Sequence, residues 1–189
     1  MKLEQFLTKE EVKDIIISIL AITFIFSYPR FELFLLYLIT IVIAFAFHEL
    51  AHKFVAEKFH CATSYEMWPT GLLLGLTFMF FGIKILVPGA VVIKPYKFGR
   101  WGFRVTRLTV PEMGIISLAG PIVNLFFAII FSLIPGSVAL FISQINAQLA
   151  FFNMLPIPPL DGSKVVQWKG WIWFLFILIA FILMSGFFV

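Results

Sequence analysis

Residues 47–52 (FHELAH) place two histidines and a glutamate in a pattern that can hold a metal ion. On a helix, His48 and His52 lie one turn apart on the same face, so both imidazoles can bind one ion. Glu49 lies about 100° further round the helix. From there its carboxylate can reach a water molecule beside the metal rather than the metal itself. The spacing predicts a metal centre with two histidine ligands and one neighbouring carboxylate.

The surroundings of this motif are apolar. Residues 33–47 (LFLLYLITIVIAFAF) contain no charged side chain. Hydrophobic residues make up 61% of the 189-residue chain and charged residues 13%, with a mean hydropathy of +1.04, whereas a soluble domain has about 25% charged residues. The chain is therefore predicted to be a multi-pass protein of the cell membrane. Charged groups inside such segments are costly, which makes a functional site the expected explanation of the motif.

The net charge of +4 does not indicate nucleic-acid binding. The positive residues cluster between the apolar segments, where they determine membrane topology. The lipid bilayer is the expected partner, and no nucleic acid is expected. The single cysteine, Cys61, excludes an internal disulfide and any multi-cysteine metal site.

The apolar pattern predicts an all-α polytopic membrane protein in a single domain, residues 1–189. We expect about five full transmembrane helices, a re-entrant apolar segment and a short β-like stretch at 90–93 (AVVI). The helices are predicted at about 12–28, 31–59, 112–133, 137–153 and 168–188, and the re-entrant segment at about 70–93.

A hydrolytic zinc site needs a third protein ligand, and Asp161 is the best candidate. The chain has two aspartates, of which Asp14 opens the first helix as an interfacial charge. Asp161 follows a proline-rich stretch, PIPPL, that cannot be helical. Bare extended backbone is untenable in lipid, so this stretch must be buried in protein or line a wet cavity. An N-cap for the following segment is the alternative role of Asp161, and His60 is a weaker candidate ligand.

The three ligands can meet only if they lie on one side of the membrane. If residues 71–87 crossed fully and the next two helices crossed once each, Asp161 would lie on the side opposite His52. The segment is therefore expected to dip into the membrane and return, which keeps the basic run 94–107 on the side of His52. Positive residues mark the cytosolic side, so the site is predicted to face the cytosol.

Three stretches together resemble the site-2 protease family of intramembrane zinc metalloproteases (peptidase family M50), in a compact form without PDZ or CBS domains. They are HELAH at 48–52, GPIVN at 120–124 and NMLPIPPLDG at 153–162. The resemblance extends from about residue 47 to 164, and the third stretch is far more specific than the first.

The resemblance implies one Zn²⁺ per chain, held by His48, His52 and Asp161. It further implies that Glu49 is the catalytic acid/base and that Asn153 positions the substrate carbonyl or stabilises its oxyanion. The chain is then an intramembrane endopeptidase that hydrolyses peptide bonds within or near transmembrane segments of membrane-protein substrates. Residues 89–94 could hold an unwound substrate segment as an added strand.

Other functions remain open at the level of sequence. One is a proteolytically inactive membrane protein of the same fold that acts as a binding or regulatory partner. A membrane zincin that trims prenylated C-termini is disfavoured, because its third ligand is a downstream glutamate and no glutamate follows Glu112. A zinc-dependent channel or transporter is weaker still. The pattern identifies neither the substrate nor the oligomeric state.

Overall fold

Helices and one small sheet make up the described part of the computed structural model, residues 7–82, 84, 88–99, 102–105 and 108–185. In chain order the elements are α1 (Lys9–Ser27), α2 (Phe31–Lys58), β1 (Cys61–Met67), α3 (Pro69–Met79), β2 (Gly89–Gly99), β3 (Gly102–Val105), α4 (Val110–Ser132), α5 (Ser137–Asn153), α6 (Asp161–Trp168) and α7 (Gly170–Met184). The predicted class, mostly helical with a short β stretch, is confirmed.

Local signals in the sequence set the ends of several helices. α1 begins with a capping box, in which Thr8 and Glu11 satisfy each other's backbone N–H groups. α4 begins with the same device, formed by Thr109 and Glu112. α5 starts after Gly136, whose φ of 123° is open to glycine, and it spans the predicted range.

The last helix, predicted at about 168–188, starts at Gly170. Residues 161–168 form the separate helix α6, and the extended backbone of Lys169 (φ −148°, ψ 102°) separates it from α7. Trp168 and Trp173 are half-buried against Met154 and Val165. Residues 186–188 of the prediction lie outside the described residues.

α2 changes its winding immediately before the HELAH motif. A π turn at Val42–Ala46 leads directly into the regular helix that starts at Phe47. Such a turn accommodates one additional residue and often lies at a functional site. It exposes the carbonyl of Ala44, which accepts a hydrogen bond from the side chain of Asn124 at 2.7 Å.

The sheet has the strand order β1-β2-β3 with antiparallel pairing. The two ends of the predicted re-entrant segment meet between β1 and β2. Met67 pairs with Gly89, and the N–H of Trp68 donates to the carbonyl of Pro88 at 2.8 Å. A single straight crossing would separate these ends by about 30 Å, which the pairing does not allow.

Between these ends, the segment runs along α1. α3 packs against α1, and the ring of Phe80 lies 5.5 Å from that of Tyr28, at the end of α1. Lys84 donates from Nζ to the carbonyl of Phe26 at 2.6 Å. Residues 83 and 85–87 of the predicted segment, and Arg100 and Arg107 of the basic run, lie outside the described residues.

The helices expose many apolar side chains and bury several polar ones. α1 exposes an apolar stripe at helical spacing: Val12, Ile16, Leu20 and Phe24. Polar side chains such as Asn124 and Asn146 are instead fully buried. Within the described residues, α2 and α4 are long and apolar enough to cross a membrane, while α3 and α7 are apolar but shorter. These two helices suggest a membrane association.

Candidate metal centre

Three candidate ligand atoms converge where α2 meets the start of α6. His48 Nε2 and His52 Nε2 lie 3.0 Å apart. Asp161 Oδ2 lies 3.4 Å from the first and 3.1 Å from the second. Four ligands at about 2.0 Å in a tetrahedron are separated by about 3.3 Å, so the three atoms have the spacing of one face of a zinc site.

Hydrogen bonds on the far sides of the imidazoles determine which nitrogen carries a proton. His52 Nδ1 lies 2.8 Å from the carbonyl oxygen of Ile116, which can only accept. His48 Nδ1 lies 2.5 Å from Asn124 Oδ1, also an acceptor. Both rings therefore bear their proton on Nδ1, and their Nε2 lone pairs face Asp161 Oδ2. Three acceptor atoms at this distance repel one another unless a cation lies among them. Two imidazole nitrogens and one carboxylate oxygen are ligands that fit zinc.

Asn124 on α4 fixes His48 through a buried network. Its Nδ2 donates to the carbonyl of Ala44 at 2.7 Å and to Asn146 Oδ1 at 3.1 Å, so its Oδ1 remains for His48. Asn146 on α5 donates in turn to the carbonyl of Ile142 at 2.9 Å. Such partners fix the orientation and basicity of metal-binding histidines. Sequence reasoning did not assign this role, although Asn124 ends the GPIVN stretch and Asn146 is one of four amide residues on α5.

Gly120 forms the wall of the centre on α4. A Cβ at this position would lie 2.6 Å from His48 Nε2, and it would clash with His52 Nε2 as well. The backbone of α4 therefore approaches both imidazoles as closely as a glycine permits. This approach explains the first residue of GPIVN in physical terms.

The segment before α6 brings Asp161 to the histidines. Gly162 packs against the backbone of Met154 and Leu155, where a Cβ would clash. Trp173 holds the same turn from the other side, because its Nε1 donates to the carbonyl of Met154 at 2.7 Å. Asp161 is the first residue of α6 and the cap is Leu160, so the alternative N-cap role of Asp161 is wrong.

Asp161 has a second charged neighbour on its far side. Its other oxygen, Oδ1, lies 3.9 Å from the ammonium of Lys164. This positive charge favours the ionised carboxylate, which is the form that binds a metal ion.

Glu49 lies beside the three ligands with an unused oxygen. Its side chain is only 7% exposed, and within the described residues its Oε2 has no hydrogen-bond partner. The backbone N–H of Val91 on β2 approaches the carboxylate from the sheet. A buried carboxylate oxygen without a partner is costly, which makes a functional role the expected explanation of this residue next to the ligand His48.

Two other candidates lie apart from the ligand group. Asn153 is half-buried at the end of α5, and its Nδ2 donates to the carbonyl of Leu149 at 3.1 Å. In the part of the chain that the structure describes, no hydrogen bond joins Asn153 to the three ligands. His60 is exposed in the turn after α2, with a φ of 58°. The potential metal group consists of His48, His52 and Asp161.

Comparison with known proteins finds relatives over most of the chain. The chain is 42% identical over 178 residues to "Putative zinc metalloprotease MJ0611" of Methanocaldococcus jannaschii, which covers 88% of each chain. It is 33% identical over 162 residues to "Putative zinc metalloprotease YwhC" of Bacillus subtilis, which covers 75% of this chain and 72% of the relative. No family model and no solved structure matches. Both names agree with zinc as the metal that the ligand atoms fit.

Proposed function

The chain belongs to the zinc metalloprotease family of these relatives, and we propose that it is an intramembrane endopeptidase of the site-2 protease type. It would hydrolyse peptide bonds within or near the transmembrane segments of other membrane proteins. The observation that carries this proposal is the convergence of His48, His52 and Asp161 beside a buried carboxylate, Glu49, with a free oxygen. That combination supplies three metal ligands and a proton acceptor within one interior site.

The residues of the chain have separate roles in the proposed hydrolysis. His48, His52 and Asp161 would hold zinc, which when bound lowers the pKa of water and polarises a carbonyl oxygen. Glu49 takes a proton from the attacking water through Oε2 and delivers it to the leaving amine nitrogen as the peptide C–N bond breaks. Asn153 would stabilise the oxyanion through its Nδ2, which donates one of its two hydrogens to the carbonyl of Leu149 and has the second to offer to the substrate.

Exposed apolar side chains together with buried amides support a site inside the bilayer. The apolar stripe of α1 is exposed while the amides of Asn124 and Asn146 are buried, as expected where lipid replaces water as the solvent. We propose that α1, α2, α4, α5 and α7 cross the membrane. The paired ends of the segment between β1 and β2 support a dip into the bilayer from the side of His52, which we propose is cytosolic.

The open edge of β2 is the proposed binding position of an unwound substrate. In β1, the N–H of Tyr65 donates to Glu11 at 3.0 Å, away from the sheet. Its cross-strand partner, Val91, is therefore in a non-hydrogen-bonded pair and also directs its N–H outward, towards Glu49. Ile93, two residues on, has the same orientation. A substrate strand that pairs with this edge would lie directly beside the catalytic carboxylate.

Proline at position 93 tests this edge. Ile93→Pro removes the outward-facing N–H, so the KM for a transmembrane substrate should rise while zinc content stays unchanged. The N–H of Val92 faces β1, so Val92→Pro would disrupt the β1–β2 pairing instead and is the less specific variant. A wild-type KM for Ile93→Pro would rule out substrate binding at this edge.

The central experiment compares the wild type with Glu49→Gln. Glutamine preserves the shape of the side chain but cannot accept the proton, so cleavage of a model transmembrane substrate should fall by roughly 10²–10⁴-fold. Zinc content should remain at one ion per chain, whereas Asp161→Ala should lose the metal. Glu57→Gln, two turns further along α2, is the matched control and should cleave normally. Equal cleavage by the wild type and Glu49→Gln would refute the mechanism, and a zinc-loaded wild type that cleaves no substrate would favour the inactive-partner alternative.

A further inference from the structure

A buried ion pair lies immediately beside the metal-binding helix segment. Lys53, the residue after His52, is 3% exposed, and Glu11 on α1 is 4% exposed. The Lys53 ammonium donates to Glu11 Oε1. Burial of two charges carries a large desolvation cost that the attraction between them does not reliably exceed, so a role beyond stability should be considered.

One carboxylate joins three elements at this point. Glu11 Oε2 accepts the N–H of Thr8 at 2.8 Å, which caps α1. Glu11 Oε1 accepts the N–H of Tyr65 on β1 at 3.0 Å and also the ammonium of Lys53 on α2. The relative positions of α1, the sheet and the metal-binding helix therefore depend on the same few hydrogen bonds.

Side chains of α1 and α2 also occupy the outer edge of β1. Lys53 Nζ lies 3.5 Å from the carbonyl of Thr63, and Asp14 Oδ2 accepts the N–H of Met67 at 3.4 Å. With Glu11 bound to Tyr65 between them, positions 63, 65 and 67 each have one backbone group bound by a side chain. An edge covered in this way is less open to another strand, which favours β2 as the edge for a substrate.

The two edges of the β1–β2 ribbon are held by neighbouring residues of one helix face. Glu49 and Lys53 are four residues apart on α2 and lie one turn apart on the same face. Lys53, with Glu11, holds the β1 edge at Tyr65, and Glu49 meets the β2 edge at Val91. Tyr65 and Val91 are cross-strand partners. The ion pair and Glu49 therefore lie on opposite edges of the ribbon, next to the same pair of residues.

We propose that Glu11 and Lys53 form a positioning pair that aligns the open edge of β2 with the carboxylate of Glu49. This inference rests on the proposed proteolytic function. The pair touches neither the metal nor the substrate. It acts by holding the ribbon, so that a peptide bound along β2 presents its scissile bond at the metal centre.

The energetics of buried pairs provide a test that separates positioning from folding. Lys53→Met leaves the Glu11 carboxylate buried without its cation, which should lower thermal stability strongly. The double variant Glu11→Gln/Lys53→Met removes both charges, and the amide oxygen of the glutamine can still accept the N–H of Tyr65. The N–H of Thr8 then loses its acceptor, because glutamine has one amide oxygen. Stability should therefore rise well above that of Lys53→Met and fall short of the wild type only by the contribution of this helix cap.

Kinetics of the double variant then decide the role of the pair. If the pair positions the ribbon, kcat/KM for a transmembrane substrate stays at least about 10-fold below the wild type, mainly through KM, with zinc content unchanged. If kcat/KM recovers together with stability, the pair is merely structural and the proposal fails. Glu66→Gln/Lys58→Met, which changes exposed residues of β1 and α2, is the matched control and should behave as the wild type.

A distance measurement makes the test independent of cleavage. Spin labels at Ala90 on β2 and Phe54 on α2, both exposed, can be placed in a background with Cys61→Ala. The distance distribution should broaden or shift in the double variant but not in the control, and an unchanged distribution would overturn the proposal. Failure of the proposed function would appear separately, as equal cleavage by Glu49→Gln and the wild type.

Discussion

Replacement of Gly120 by alanine should remove the metal site while the fold remains. The added Cβ would lie 2.6 Å from His48 Nε2 and would also clash with His52 Nε2. An ordinary contact of about 3.4 Å requires the His48 ring to move by about 0.8 Å, several times the deviation of about 0.2 Å that metal–ligand distances allow. His48 cannot move freely, because its Nδ1 is held by Asn124 at 2.5 Å.

The expected magnitude follows from this displacement. Loss of a single orienting hydrogen bond to a metal ligand weakens metal affinity by about 10–100-fold. Gly120→Ala displaces two ligands at once, so zinc affinity should fall by at least about 100-fold. Alanine is a better helix former than glycine by about 1 kcal/mol in a helix interior. The metal-free variant should therefore keep the helical content of the metal-free wild type.

Zinc competition with a chromophoric chelator measures the affinity directly, and circular dichroism of both metal-free proteins follows the fold. Gly170→Ala is the matched control, because a Cβ there would meet no atom within 4 Å. It should bind zinc as the wild type does. Wild-type affinity in Gly120→Ala would refute the close approach of α4 to the imidazoles, and with it the described geometry of the centre.

Two further outcomes are expected from the same site. Asn124→Ala leaves His48 Nδ1, the carbonyl of Ala44 and Asn146 Oδ1 without their buried partner, so zinc affinity should fall about 10–100-fold in chelator competition; equal affinity would exclude an orienting role for Asn124. Removal of zinc by a chelator should lower the midpoint of thermal denaturation by about 5–10 °C relative to protein with zinc at 100 times its Kd. Asp161→Ala, which lacks a ligand, should show little response to the chelator, and an equal shift in that variant would contradict its assignment.

The sequence predicts those parts of the molecule that depend on local patterns. Pro135 and Gly136 mark the start of α5, which spans the predicted residues. The HELAH spacing places His48 and His52 on one helix face, and the turn before Asp161 follows from its prolines. Each of these features is determined within a few residues of chain.

Features that depend on tertiary contacts were not visible in the pattern. Glu11 suggests only a helix cap by its sequence context, yet it also pairs with Lys53, 42 residues away. The role of Asn124 depends on the π turn, which exposes the carbonyl of Ala44, and no composition signal marks that turn. The short helix α6 was not predicted, because its eight residues are too few to show a helical pattern after the proline-rich stretch.

The segment between β1 and β2 begins and ends at paired residues, and this pairing affects how the chain can be altered. Met67 and Gly89 are already strand partners, so the chain leaves and re-enters the ribbon at one point, and α3 packs mainly against the outside of α1. Residues 69–87 are in this sense an insertion into a hairpin, and a tight turn could replace them without moving the metal ligands. The junction of Met67 and Gly89 is accordingly the natural place to join a tag, a label or a foreign domain to this protein in exchange for the segment.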